Sequence, residues 1–321
     1  MPRVARWAVL GLAVVVVVTA VGVLVNRGVE LIPTSESCTA SVQGRTVEIS
    51  LEQAENAALI TAISVQRGMP ARAATIALAT AYQESKLLNI EHGDRDSLGL
   101  FQQRPSQGWG TEEQILNPYY SINAFYDGLI GIDGYDSMRI TEAAQAVQRS
   151  GFPEAYADHE ADARVLASAL TGNSPRALSC VIDEPDEAAS SRLSDEGLTR
   201  RAANVRKDIV AAFGEQSMGG FEPGGVTSGH MVGSAHYEGR AIDVFVRPIN
   251  ADNRKRGWAM ASYLMAQASR LDINTLIFDD RIWHAGSRSD DGWTDYDVPT
   301  SSRGDRKILE HRDHVHVDVH D

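Results

Sequence analysis

Nineteen consecutive uncharged residues, Trp7–Val25, constrain this chain more than any other feature. As an α-helix they span roughly 28 Å, close to the hydrocarbon thickness of a bilayer. A lone strand of the same Val-rich sequence would leave its backbone unsatisfied in lipid, so a helix is expected. Arg3 and Arg6 precede the run and Arg27 follows it. That slight basic excess favours an N-terminus inside and a body outside. No small-x-small site stands just after the run, which favours an uncleaved anchor over 1–30 against its rival, a cleaved signal peptide. The expectation is a single-pass cell-membrane protein with an extracytoplasmic body, held to the lipid bilayer through its N-terminal helix, or secreted if the segment is removed.

Charge narrows the partners. The chain has 43 acidic and 30 basic residues, a net charge of −13. It has no basic stripe to neutralise phosphates, so nucleic acid is excluded as a partner. Two cysteines, Cys38 and Cys180, are too few for a zinc finger or a disulfide-rich miniprotein. In an oxidising compartment they are expected to pair, closing a long loop at a gain of about 3–5 kcal/mol. Two buried free thiols are the alternative.

The body reads as multidomain. Residues 31–181 are mostly α. A short alternating stretch at 45–50 suggests an edge strand, and helical spacing follows over 51–66 and, after Pro70, over 71–85. Thr111 and Thr141 are N-cap candidates, each followed by an acidic residue. A further helix at 159–170 is stopped by Gly172 and Pro175. Residues 182–196 are acidic and Ser/Ala-rich without an apolar period, which reads as a linker. Residues 197–321 form an α+β region: a helix within 197–214, strands at 241–246, 273–278 and 314–319, and a helix at 252–271. The Gly-rich 219–229 lacks the strand and the Lys-Ser/Thr of a phosphate-binding loop.

Histidine is the strongest clue to chemistry. Seven of the nine lie from His230 onward. In a strand, residues two apart share a face, so His314, His316, Asp318 and His320 point one way and Val315, Val317 and Val319 point into a core. His236 follows a glycine loop, and Asp243 sits in a short strand. One carboxylate and two imidazoles leave a zinc ion cationic, able to acidify a water and polarise a carbonyl. His230 and His284 have no assigned role.

The pattern Ser234-x-His236-x-x-Gly239-x-Ala241-x-Asp243, with His314-x-His316 later, resembles the zinc peptidases of peptidoglycan: D-alanyl-D-alanine carboxypeptidases, dipeptidases and murein endopeptidases. The resemblance covers roughly 197–321. It implies zinc (Zn2+) as cofactor, an antiparallel sheet, and His236, Asp243 and His316 as metal ligands. It implies His314 as the residue that takes the proton from the attacking water or stabilises the tetrahedral intermediate. His311 matches the additional histidine of the endopeptidases. Where the carboxypeptidases carry a Glu, this chain has Asp313, which leaves the base open. Arg281-Ile282-Trp283 and Gly292-Trp293-x-x-Tyr296 look like substrate-side loops. Trp283, Trp293 and Tyr296 would form an apolar wall, or else belong to the core. Arg281 would hold a stem-peptide carboxylate, or else form a surface ion pair.

A second resemblance lies in the first region. Glu84-Ser85 followed by Ser97-Leu98-Gly99-Leu100-Phe101-Gln102-Gln103 is similar to the signatures of lysozyme-like lytic transglycosylases, over roughly 40–178. It implies Glu84 as acid/base and Gln102 as a groove-side hydrogen-bonding residue. A carboxyl at the end of an apolar helical stripe, if half buried, keeps its proton as a general acid needs. The plain alternative is a surface Glu. Asp96 is the nearest candidate for a second carboxylate. Both resemblances imply one partner, peptidoglycan, as stem peptide and as glycan strand. The expected activity is therefore a peptidoglycan hydrolase, with a zinc metallopeptidase joined to a glycan-cleaving or glycan-binding region. The competing expectation is a structural or assembly protein of a cell-envelope machine.

Overall fold

The computed structural model describes residues 36–185, 189–300 and 302–321. The anchor expected over 1–30 lies outside these residues. Among the described residues, no helix is long and apolar enough to cross a membrane.

The first region opens with strands β1 (Ser37–Val42) and β2 (Arg45–Ile49), and β3 (Leu178–Val181) pairs antiparallel with β1. The expected edge strand is β2, while β1 and β3 were not foreseen. Cys38 stands opposite Cys180 in the β1–β3 register, and the two form a disulfide. Helix α1 (Leu51–Gln66) starts at a Ser50–Gln53 capping box. Its ten residues from Ala54 and from Asn56 to Ser64 are buried, so no face of its middle turns meets solvent. Helix α2 (Ala71–Ser85) follows Pro70, which occupies the N-cap itself. Helices α3 (Glu112–Leu116), α4 (Pro118–Ile130), α5 (Ile140–Gln148) and α6 (Glu160–Leu170) complete the layer. Thr111 caps α3 with Gln114 as its box partner. Thr141 does not cap α5: it lies inside the helix, buried, and its hydroxyl donates to the Pro153 carbonyl.

The second region has helix α7 (Arg200–Phe213), capped by Thr199, and a six-stranded antiparallel sheet. Its strands are β4 (Met218–Gly219), β5 (Ala241–Phe245), β6 (Ile273–Phe278), β7 (Arg281–His284), β8 (Thr294–Asp295) and β9 (His314–Val319), in the order β4-β5-β9-β6-β7-β8. Helix α8 (Ala251–Ala266), followed by the short α9 (Ala268–Leu271), packs on this sheet. Strand β9 is central, and all six of its residues are buried. A half-exposed strand with a solvated polar face is thereby excluded.

The two regions share one compact unit, Glu36–Asp321. Helix α1 packs against α2, α4 and α6 of its own region and also against α7 and α8 of the other. Gln267 donates to the Glu55 carbonyl at 3.0 Å, and Trp293 Nε1 donates to the Leu178 carbonyl at 3.1 Å. Gly172 rests on α8 so closely that a Cβ there would collide with the Lys255 carbonyl. The 182–196 segment is strapped at both ends. Ile182 is buried and exchanges hydrogen bonds with Ser289 and Gly286, and Gly197 abuts the backbone of Glu222.

Candidate metal centre

The antiparallel register of β5 and β9 sets Asp243 directly opposite His316. His236 arrives on a 3-10 turn, Ala235–Glu238, begun by the Ser234 hydroxyl and ended by Gly239 in the left-handed region. Three donor atoms then meet. His236 Nε2 lies 3.1 Å from His316 Nδ1 and 3.3 Å from Asp243 Oδ1, and His316 Nδ1 lies 3.1 Å from that same oxygen.

The second atoms of these side chains set where the lone pairs point. His236 Nδ1 donates to the Gly220 carbonyl at 2.7 Å, which leaves a lone pair on Nε2. Gly220 sits at φ +79°, and a Cβ there would strike the His236 ring, so glycine is required. His316 Nε2 faces Asp318 Oδ2 at 3.3 Å, and Asn274 donates to the other oxygen of that carboxylate at 2.8 Å. A proton on Nε2 leaves the His316 lone pair on Nδ1. Two imidazole lone pairs and a carboxylate aimed at one point repel unless a cation sits between them. Donors on one tetrahedral zinc at about 2.0–2.1 Å stand about 3.3 Å apart, so the residues present fit such an ion. Burial alone would lower His316, but hydrogen bonds to Asp243 and Asp318 hold it up at about 9. Burial likewise works against the Asp243 carboxylate, yet His236 and His316 keep it well below the usual range.

Asp318 thus holds the far nitrogen of His316, the position from which outer carboxylates orient ligands in many metal sites. Asp318→Asn should weaken metal affinity by about 10–100-fold without removing any ligand. A chelator competition assay measures this. An unchanged affinity would show that Asp318 does not orient His316.

His314 and His311 flank the triangle. Asp313 Oδ1 accepts from His314 Nδ1 at 2.7 Å, which turns Nε2 toward Asp243 Oδ1, 3.7 Å away. Arg247 holds the other oxygen of Asp313 at 2.7 Å. Burial opposes ionisation of Asp313, but the His314 and Arg247 contacts lower its carboxyl all the same. Asp313 is therefore the orienting partner of His314, a role its sequence position did not disclose. His311 Nδ1 donates to the Leu309 carbonyl at 3.1 Å, and its ring lies 4.6 Å from that of His314. Burial, and then the neighbouring His314 and His316, push it down to about 3.

His236, Asp243, His311, His314 and His316 line an open cavity of about 350 Å³. Tyr296 belongs to it, edge-on to His311 at 4.9 Å. Other expected substrate contacts fall elsewhere. Trp283 is fully buried on the inner face of β7 and belongs to the core, not to a wall. Trp293 packs edge-on against Trp258 at the seam between the regions. Arg281 is engaged by Asp280 and Asp295, so it forms the surface ion pair rather than waiting for a carboxylate. His320 leaves the histidine row and lines a different cavity with Glu184 and Asp272.

Sequence reasoning also passed over His230. The ligand atoms of His230, His236 and Asp243 all lie within 4.8 Å of one another, a group able to hold a metal ion. No spacing rule marks His230; its only signal was its place at the end of a glycine-rich loop facing the zinc-type motif.

In the first region, Ser85 Oγ donates to the Leu100 carbonyl at 2.8 Å, which joins the Glu84-Ser85 turn to the 97–103 segment. Glu84 is half-buried and accepts from the Tyr156 hydroxyl at 2.7 Å. Burial pushes its carboxyl up against the opposing bonds from Tyr156 and Gln148. The Gln102 amide nitrogen is taken by the Gly99 and His92 carbonyls, so it closes its own loop. Asp96 accepts from the Ser106 amide at 2.9 Å and from Arg104 at 2.6 Å, and the Ser106 contacts, then Arg104, lower its carboxyl below the usual range.

No curated protein matches the chain. Residues 194–306, which take in His230, His236 and Asp243 and stop short of His311, match a family model described as VldE, C-terminal domain.

Proposed function

We propose that this chain is a zinc-dependent peptidase of peptidoglycan, cutting stem peptides or their cross-links, whose first region cleaves or grips the glycan strand. The observation that carries this reading is the triangle of His236 Nε2, His316 Nδ1 and Asp243 Oδ1, each atom within 3.3 Å of the others, on the wall of an open cavity. Nitrogen and oxygen donors at tetrahedral spacing suit zinc. When bound, the ion supplies a Lewis acid that polarises a peptide carbonyl and lowers the pKa of a water. His314, with Nδ1 tied to Asp313, presents a free Nε2 to take the proton of that water and hand it to the leaving amine. His311 stays neutral beside it, so no second positive charge competes with the one forming on His314. Tyr296 offers its ring and hydroxyl to the peptide at the cavity edge.

Support for the glycan half is the half-buried Glu84, whose carboxyl burial pushes up, the direction a general acid at a glycosidic oxygen needs. An anchor over 1–30 would hold both sites against the wall outside the membrane.

The test is the zinc-loaded full chain in detergent, incubated with intact sacculi, with released fragments read by mass spectrometry. Peptides heavier by one water are expected. His314→Gln should retain zinc and lose about 10²–10⁴ of the release rate. Glycan ends, anhydro or reducing, should vanish in Glu84→Gln. A folded, zinc-loaded wild type that releases no peptide sinks the peptidase reading.

A further inference from the structure

Peptide cleavage at this centre requires an open position on the ion, because catalytic zinc sites keep one and structural sites do not. The geometry points to His230 as a fourth ligand, carried on the largely exposed 226–233 segment of the glycine-rich loop, that closes this position until that segment lifts. The inference rests on the metal-centre reading above and adds to it a closed state.

Four observations carry it. The His230 ligand atom falls in one group with those of His236 and Asp243. Its ring lies over that of His236 at 3.9 Å, tilted by 24°, and on the cavity wall. Its ring nitrogens make no hydrogen bond among the described residues, whereas every other imidazole of the centre has one nitrogen held by a carbonyl or a carboxylate. The backbone of His230 is pinned by one side chain, since the Tyr237 hydroxyl accepts from its amide at 3.0 Å and donates to its carbonyl at 2.6 Å.

The segment around it is built to move at little cost. Gly224, Gly229 and Gly233 all have positive φ, and a Cβ at any of them would meet nothing within 4 Å. Met231 and Val232, next to His230, are exposed. Lifting 226–233 therefore breaks the Tyr237 pair, leaves Gly220 on His236 and uncovers little apolar surface. The exchange is a ligand substitution: the His230 imidazole leaves, a water or substrate oxygen takes its place, and nothing is oxidised or reduced.

The test uses the full chain and three readouts: zinc affinity by chelator competition, azide affinity of the cobalt(II) form, and peptide release at saturating zinc. For His230→Ala, zinc affinity should fall by at least about tenfold. Azide, a small anion that needs an open position, should bind the variant several-fold more tightly, and release should rise. Tyr237→Phe keeps the imidazole and should shift all three in the same direction by less. Thermal unfolding of the metal-free proteins shows whether both variants fold. If a wild type holding one ion is matched by His230→Ala in zinc and azide affinity, the fourth-ligand inference is overturned and the peptidase reading stands. If the wild type takes up no metal, the reading of the centre itself fails.

Discussion

Zinc should protect the wild type strongly against heat and give the His236→Ala protein no thermal protection. An ion that binds only the native state stabilises it by about 4 kcal/mol at a thousandfold excess over its Kd. Differential scanning calorimetry of the full chain with and without zinc measures the difference directly. Peptide release should fall together with metal binding, by more than about 10³, since the ion carries the charge that develops on the carbonyl oxygen. His236 is only 2% exposed, so removing its ring also empties a packed site. The comparison must therefore be made between each protein with and without zinc, where that packing cost cancels. A wild type whose unfolding is indifferent to zinc would refute the metal centre. An equal zinc response in His236→Ala would remove that residue from the ligand set.

The second large effect is expected from Cys38→Ser with Cys180→Ser. The disulfide joins residues 142 apart, and the chain-entropy model assigns about 5 kcal/mol to a loop of that size. The β1–β3 ladder hydrogen bonds do not depend on the disulfide, so a loss of about 3–5 kcal/mol with the pairing kept is expected, seen as a lower midpoint in urea or heat. Such a loss is large beside the marginal stability of any domain. The metal triangle lies on β5, β9 and the Ala235–Glu238 turn, away from this bond. Folded double variant should accordingly bind zinc as the wild type does. A double variant as stable as the wild type would mean that the unfolded chain is no more restrained with the bond than without it.

What the sequence disclosed follows from periodicity. A period of two placed His314, His316 and Asp318 on one side of β9 and the valines on the other, and helical spacing located α1 and α2. The facing of Asp243 and His316 needs the β5–β9 register, which depends on contacts between residues 73 apart and leaves no local mark. Asp313 looked like a departure from a pattern because spacing says nothing about which nitrogen of His314 it holds. Trp283 stayed open between wall and core because an aromatic residue in a short strand suits either face, and here the register with β6 turns it inward. Thr141 misled because a hydroxyl that can cap a helix can equally satisfy a distant carbonyl, that of Pro153. The docking of the regions was out of reach, since Gly172 against α8 and Gln267 on Glu55 are matters of shape between distant segments.

That docking has a mechanical meaning. Two reactive centres on a slack tether would search the polymer independently, and tether length would set how often both engage. Here α1 is common ground for both regions, so Glu84 and the histidine cluster ride on a single frame. If the proposed function holds, once one centre grips the mesh the other would have no freedom to hunt and would meet whatever the lattice presents at that offset. The protein would then act as a caliper: it reads the spacing of its polymer, and regions of wall stretched or compressed away from that spacing are touched by one jaw only.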